Sequence, residues 1–243
     1  MVTRSSASPA LLETYHLERH AIGLMAMEQA YTRWKSRFFA SRTDLPIGGE
    51  EVPAIVVELG LRYEHSPAIS YGPGVKATIF EDPFWPTAQP GSRAPHVWFR
   101  RGDGMISLYD CFDVRRFVLL CSKRGLAWRE VQESFPIGWP LKVAEVALGE
   151  FFTKFEIRDT GAVLVRPDGV IAWKAVTDSE AEKLGPVVAQ LLGVKVGEKR
   201  AQATRATTAP VIPVPVVDIG ARPKGPSGLL RRMTLSIKKR GQS

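Results

Sequence analysis

One stretch of the sequence decides the fold, GAVLVRPDGVIAWKA at residues 161–175. Two apolar β-type runs flank the tetrapeptide Arg166-Pro167-Asp168-Gly169. Proline suits the second position of a type I turn because its φ is already restricted, and glycine is common at the fourth position. The stretch therefore predicts two antiparallel strands joined by a tight hairpin.

Further short β-type runs and two helical patterns surround this hairpin. Helices are predicted over 123–135 and over 179–193, with Ser179 as N-cap and Gly193 just past the end. Strands are predicted at 96–99, 106–112, 117–122, 141–148, 161–166 and 169–176. The order β, α, β, β, β, α with a tight hairpin indicates a small α/β sandwich.

A long helix is predicted before this region. Ser8 followed by Pro9 is typical of a helix start, and a helical pattern continues to about Ser41. Its apolar residues are expected to share one side, with Gly23 as a place where the helix can bend. They are Leu11, Leu12, Tyr15, Ile22, Met25, Met27, Ala30, Trp34 and Phe38.

A loop and a connector are predicted to follow the helix. Residues 43–53 form the loop, and the short apolar run 54–63 fits either a strand or a helix. Residues 64–95 are rich in proline and glycine, which excludes long regular elements. This extended connector is expected to pack down through its apolar side chains, Phe80, Phe84 and Trp85.

The composition is that of a soluble globular protein with a basic tail. Hydrophobic residues make up 44% of the 243 residues and charged residues 24%, which excludes collagen, coiled coil and wholly disordered chains. Residues 198–243 carry ten Lys or Arg and two acids, and this excess accounts for the whole net charge of +8. The folded part is therefore neutral, which argues against specific nucleic-acid binding. The tail is predicted to be disordered.

Within the tail, residues 228–241 could instead form a basic amphipathic helix on an anionic membrane or on a partner protein. The sequence shows neither a secretory signal nor a membrane span. Two cysteines are too few for a disulfide framework. The expected location is therefore the cytoplasm.

Three motifs that could carry chemistry fail on their context. His16 and His20 have zinc-capable spacing but lack the adjacent glutamate of a zincin and a third ligand. The segment GPGVKA (72–77) has nucleotide-binding spacing, yet its prolines exclude the required helix. Cys121 stands at a strand-to-helix junction where a thioredoxin would carry a second thiol, but residue 124 is Arg. We therefore expect no catalytic, cofactor-binding or metal-binding residue in this chain.

Four segments, taken in order, resemble the C-terminal part of the FAD-dependent aromatic-ring hydroxylases, in the phenol, chlorophenol and polyketide branch. In that family the last domain is thioredoxin-like without the redox cysteine pair. Ala21 departs from the pattern, since the family usually has proline there. The segments are 11–23, 57–69, 86–112 and 161–175, and the matching family-motif residues are Tyr15, Glu18, Arg19, Arg93, Pro95, His96, Arg166, Pro167, Asp168, Gly169 and Trp173.

The resemblance implies a division of the chain. Residues 8–95 would be the last helix and connector of the flavin and substrate domain, residues 96–196 the thioredoxin-like domain, and residues 197–243 the tail. The family uses FAD and NAD(P)H, but the Rossmann glycine motif and the Gly-Asp segment that contact FAD are absent from this sequence. We therefore expect no cofactor on this chain alone and no independent monooxygenase activity.

Two functional hypotheses remain open. The chain is either a portion of an aromatic-ring hydroxylase of aromatic or polyketide metabolism, or a non-enzymatic interaction and dimerisation module. The first predicts a separate flavin-binding half as partner, and the second predicts a homo-oligomer.

Overall fold

The computed structural model describes residues 7–74, 78–135, 138–147 and 149–194. All of these lie in one compact unit, Met1–Glu198. The helices in the described residues are α1 (Leu11–Phe38), α2 (Ala54–Leu59), α3 (Leu126–Glu133), α4 (Glu150–Lys154) and α5 (Leu184–Leu192). The strands are β1 (Trp98–Arg101), β2 (Gly104–Ser107), β3 (Phe117–Cys121), β4 (Leu141–Glu145), β5 (Ala162–Val165) and β6 (Ile171–Ala175).

A four-stranded mixed sheet organises the second half of the chain. Its strand order is β4-β3-β5-β6, with β3 parallel to β4 and β5 antiparallel to both of its neighbours. Helix α3 makes the crossover between the two parallel strands, as such a connection requires. The βαβ–ββα order confirms the predicted α/β sandwich and is the topology of a thioredoxin-like domain.

Each face of the sheet is covered by its own apolar cluster. Leu119 and Leu164 point to the face that packs with α3 and α5, around Trp128. Leu120 and Val163 point to the opposite face, which packs with α4 and the β1–β2 hairpin. This alternation follows from the two-residue period of a strand, and burial on both faces explains why the strands read as continuous apolar runs.

The predicted hairpin between β5 and β6 is confirmed. The Gly169 amide donates to the Arg166 carbonyl at 3.0 Å, and the Arg166 amide donates to the Val170 carbonyl at 2.8 Å. Gly169 has φ of 82°, a left-handed conformation that glycine adopts without steric cost. The turn therefore holds Arg166 and Asp168 at the tip of the hairpin.

The predicted N-terminal helix is confirmed as α1, which runs without interruption through Gly23. It begins at Leu11 rather than directly after Ser8, whose hydroxyl accepts a hydrogen bond from the Ala10 amide at 3.2 Å. The apolar residues expected on one side of α1 do not form a buried face, since Leu12, Tyr15, Met27, Trp34 and Phe38 are exposed. The most buried residues of α1 are polar ones, Thr14, Glu18, Gln29 and Thr32.

The run 54–63, which fitted either a strand or a helix, contains both kinds of structure. Its first part is α2, and Leu61 and Arg62 then form isolated β-bridges with Phe80 and Ser92. The connector that follows is extended, as predicted, and packs through buried residues such as Ile69 and Ala88. Phe84 and Trp85 do not pack down, because both side chains are more than 70% exposed.

Several boundaries in the second half differ from the sequence prediction, among them β1, which forms at Trp98–Arg101 rather than at 96–99. The run 106–112 ends as a strand at Ser107, whose side chain caps a 3-10 helix over Leu108–Cys111. The short helix α4 was not predicted, because five residues are too few to show a helical period. Gly193 ends α5 in the left-handed conformation as predicted, whereas the preceding 3-10 helix starts after Thr177 rather than at Ser179.

Several predictions fall on residues outside this description. The predicted tail at 197–243, its amphipathic segment 228–241 and the end of the GPGVKA segment at 75–77 are among them. In the part of the chain that is described, no helix has the length and apolar character required to cross a membrane.

Candidate functional site

Three of the family-motif residues meet in one charge cluster, in which the ion pair of Glu18 with Arg166 is buried and Asp168 is partly exposed. Arg166, at the hairpin tip, donates from Nη1 and Nη2 to the two carboxylate oxygens of Glu18 on α1, at 2.5 and 2.9 Å. The same guanidinium donates from Nε and Nη2 to Asp168 at 3.2 and 2.7 Å. The Glu18 and Arg166 side chains are only 4% and 12% exposed, although they are 148 residues apart in sequence. We call this contact the clamp.

The connector supplies further partners to the clamp. Ser66 donates its hydroxyl to Glu18 Oε1 at 2.5 Å, and the Arg166 guanidinium lies 5.5 Å from the centre of the Tyr63 ring. The Tyr63 carbonyl in turn accepts a hydrogen bond from the Tyr71 hydroxyl at 2.7 Å. Helix α1, the connector and the hairpin therefore converge on a single charge pair.

Electrostatics keep the clamp charged. Burial disfavours the charged guanidinium of Arg166, but the hydrogen bonds that it donates to Glu18 and the charges of Glu18 and Asp168 outweigh this effect and raise the pKa of Arg166. Burial also raises the pKa of the nearby Tyr71 hydroxyl to about 12, so this tyrosine stays neutral. Because the raised pKa keeps the Arg166 guanidinium protonated and its donors are taken up by Glu18 and Asp168, this arginine holds elements together rather than transferring a proton.

The connector also covers the edge of the sheet. The Gly91 amide donates to the Ile171 carbonyl, the Ile171 amide to the Ser92 carbonyl, and the Ala94 amide to the Gly169 carbonyl, at 2.9 Å each. Strand β6 is the last strand of the sheet, so these bonds satisfy backbone groups that would otherwise form an open edge. Arg93, whose side chain is exposed, forms an isolated β-bridge with Val170 through its backbone. Pro95, just after this segment, is buried.

His96 and Trp173 lie in two other packing clusters. His96 Nε2 is 2.9 Å from the Ser107 hydroxyl, and its ring packs edge-on against Trp98 and Tyr109. Trp173 on β6 packs edge-on against Trp128 of α3, at 5.8 Å between ring centres. The structure therefore gives both residues a packing role away from the clamp.

An open groove of about 1040 Å³ lies beside the clamp. Its walls come from the first turns of α1, the loops 113–117 and 138–140, and the hairpin tip with Pro167. Tyr15 lines the groove, and Arg19 lies 5.9 Å from the centre of the Tyr15 ring. In this groove Arg116 is paired with Asp113 at 2.7 Å.

The strand-to-helix junction after β3 is sealed. Cys121 is fully buried, and burial raises the pKa of its thiol to about 11, so the thiol is protonated at neutral pH. Ser122 donates to the Asp159 carbonyl and Arg124 to the Asp159 carboxylate, both at 2.5 Å. Cys111 belongs to the apolar cluster on the opposite face of the sheet. A reactive thiol needs exposure and a lowered pKa, and this junction has neither.

The same junction does not fit a nucleotide. A pyrophosphate needs an open glycine turn at a helix N-terminus. A Cβ at Gly125, which precedes α3, would lie 2.5 Å from Trp128 Cδ1, so tryptophan fills this position. Nor do the described ranges contain a group of three or more His, Cys, Asp or Glu arranged to hold a metal.

Comparison with known proteins agrees with the resemblance found in the sequence. Residues 87–194 match the family model described as aromatic-ring hydroxylase, C-terminal. The 4-methyl-5-nitrocatechol 5-monooxygenase of a Burkholderia species is 36% identical over 193 residues, covering 72% of this chain and 34% of the relative. The chain carries the C-terminal domain of the aromatic-ring hydroxylase family.

Two further proteins extend this likeness. The tetracenomycin B2 monooxygenase-dioxygenase of Streptomyces olivaceus is 31% identical, covering 79% of this chain and 36% of the relative. The structure of an aklavinone-11 hydroxylase with FAD and aklavinone superposes with a TM-score of 0.69 at 26% identity, covering 79% of this chain and 37% of that one. The chain thus spans about a third of the length of these hydroxylases and corresponds to their C-terminal portion.

The charged residues of the clamp are among the family-motif residues recognised in the sequence, but its neutral partners, Ser66 and Tyr63, are not. Ser66 and Tyr63 lie inside the quoted segment 57–69, which was noted only for its resemblance. A serine and a tyrosine carry no periodic signal, and their role follows only from the meeting of α1 with the hairpin.

Proposed function

We propose that this chain is the C-terminal portion of an FAD-dependent aromatic-ring monooxygenase and that it completes the enzyme structurally. The observation that carries the proposal is that one match covers α1, the connector and the sheet domain together. In this match, all three correspond, in the same order along the chain, to the C-terminal portion of the hydroxylases. FAD would supply the oxygen-transfer chemistry, and NAD(P)H its reducing equivalents. The substrates would be phenols or polyketide aromatics, as the names of the relatives indicate.

In this proposal the chain contributes binding and enclosure rather than reacting groups. Two features support that role: the thiols are buried with raised pKa values, and the clamp is internally satisfied. The flavin-binding portion would be the partner of residues 8–95, residues 96–196 would form the thioredoxin-like domain, and residues 197–243 the tail. The two free cysteines favour a reducing location, the cytoplasm.

The first prediction is that the purified 243-residue chain does not bind FAD. Added FAD should keep its full fluorescence, because the sequence lacks the Rossmann glycine motif and Trp128 fills the glycine turn before α3. The measurement is a fluorescence titration of FAD with the chain, followed by gel filtration and an absorbance spectrum of the protein peak.

A parallel experiment tests whether the chain completes a flavin-binding protein. The chain should co-purify with FAD when it is co-expressed with the flavin-binding portion of the Burkholderia monooxygenase. A stoichiometric yellow complex of the chain by itself would overturn the claim that its role is structural.

A further inference from the structure

Helix α1 is packed with its polar side inward. Glu18 enters the clamp, and Gln29 donates from Nε2 to the Glu50 carbonyl at 2.9 Å and accepts from the Val52 amide at 2.8 Å. These polar contacts fix the rotation of the helix about its axis. Most of the large apolar side chains of α1 are consequently turned away from the rest of the described chain, the reverse of an ordinary surface helix.

The outward side carries an aligned set of large apolar side chains. We call it the outer stripe; its side chains are between 43% and 71% exposed. The members are spaced by three, four or seven residues, the spacing by which one helix packs on another surface. They are Leu17, Leu24, Met27, Trp34 and Phe38.

The extent of the stripe argues that it is covered in the working protein. From Leu17 to Phe38 the helix rises by about 30 Å, at about 1.5 Å per residue. Single exposed apolar side chains are normal, but an aligned row of this length is typical of an interaction surface. Nothing within α1 explains the row, because the helix is held in place by its polar side.

The lengths of the relatives identify what covers it. The hydroxylases that match this chain devote about two thirds of their length to residues beyond the matched portion. In the aklavinone-11 hydroxylase, the counterpart of this chain is part of a single larger protein that holds FAD.

We propose that the outer stripe of α1 is the surface on which the flavin-binding portion of the hydroxylase docks, through an apolar face of its own. This inference rests on the proposed function and adds to it the surface and the side chains that make the contact. The clamp then acts as the support behind the interface, since it holds the polar side of α1 against the connector and the hairpin.

The test places a charge on the stripe. The 243-residue chain, as wild type, Leu24→Glu or Met27→Glu, is co-expressed with the flavin-binding portion of the Burkholderia monooxygenase and purified through a tag on the chain. We expect wild type to give a one-to-one complex by light scattering, and each variant to retain at least about tenfold less partner, because a buried unpaired carboxylate opposes docking. Ala26→Glu is the matched control, since Ala26 is exposed on the same helix but off the stripe, and it should bind as wild type.

A second measurement separates docking from folding. Leu24 and Met27 are exposed, so both variants should keep the thermal melting temperature of the wild-type chain. Equal partner capture by wild type, Leu24→Glu and Met27→Glu would overturn this inference and leave the proposed function standing. Failure of the wild-type chain to capture the flavin-binding portion would overturn the proposed function itself. A wild-type homodimer that the stripe variants convert to monomer, and that the flavin-binding portion does not displace, would assign the stripe to a second copy instead.

Discussion

Replacing Arg166 with methionine should lower the free energy of unfolding by about 3–5 kcal/mol, the usual cost of removing one partner from a buried ion pair. Methionine keeps the apolar stem but removes the guanidinium, so the Glu18 carboxylate stays buried with only the Ser66 hydroxyl as partner. The measurement is urea unfolding followed by tryptophan fluorescence.

Two control variants isolate the clamp from general damage. Arg115→Ala removes an exposed arginine from the neighbouring groove and should change stability by no more than about 0.5 kcal/mol. The double variant Glu18→Met, Arg166→Met should recover much of the loss, because it removes both charges together. A single Arg166→Met variant as stable as wild type would show that the clamp contributes nothing to the fold.

Replacing Gly91 with alanine should cost about 2–4 kcal/mol. Gly91 has φ of 95°, which L-residues adopt at a cost of about 1–2 kcal/mol. A Cβ there would also lie 2.5 Å from the Tyr63 carbonyl oxygen and 3.2 Å from Tyr71 Cε1, so the backbone of the connector must move. That movement disturbs the hydrogen bonds that cover β6.

Gly102 provides the matched control for this substitution. It also has a positive φ, 58°, but a Cβ at this position meets no atom within 4 Å. Gly102→Ala should therefore cost only about 1 kcal/mol, from the backbone conformation alone. Equal losses at Gly91 and Gly102 in parallel urea titrations would contradict the close approach of the connector to Tyr63.

Local patterns predicted the parts of the fold that local physics determines. The Arg166–Gly169 turn and the apolar runs of β3 to β6 each carry their own signal, and all of them formed where expected. The 28-residue helix was also predicted, but its orientation was not. An apolar pattern indicates which residues share one side of a helix. For α1 it does not tell whether that side packs against this chain or against a different part of the enzyme.

Long-range contacts account for the remaining differences. Phe84 and Trp85 were expected to pack because aromatic residues usually do, yet the connector is held by backbone bonds to β6 and by Ile69. The clamp joins residues 148 apart, and no pattern within either segment specifies its partner. Glu18 and Arg166 were recognised only as family-motif residues, and the structure shows that they bind each other.

The hairpin, the clamp and α1 depend on one another. The hairpin presents Arg166, the clamp fixes the rotation of α1, and that rotation turns the outer stripe outward. A change at the clamp should therefore weaken partner binding as well as stability, although Arg166 itself does not belong to the stripe.

The most direct measurement of the central claim is hydroxylation by the assembled pair. The chain and the flavin-binding portion of the Burkholderia monooxygenase are supplied together or singly with FAD, NAD(P)H, oxygen and 4-methyl-5-nitrocatechol, and the product is followed by mass spectrometry. The account predicts substrate-dependent product from the pair and none from either component alone. Equal turnover by the flavin-binding portion without this chain would contradict it.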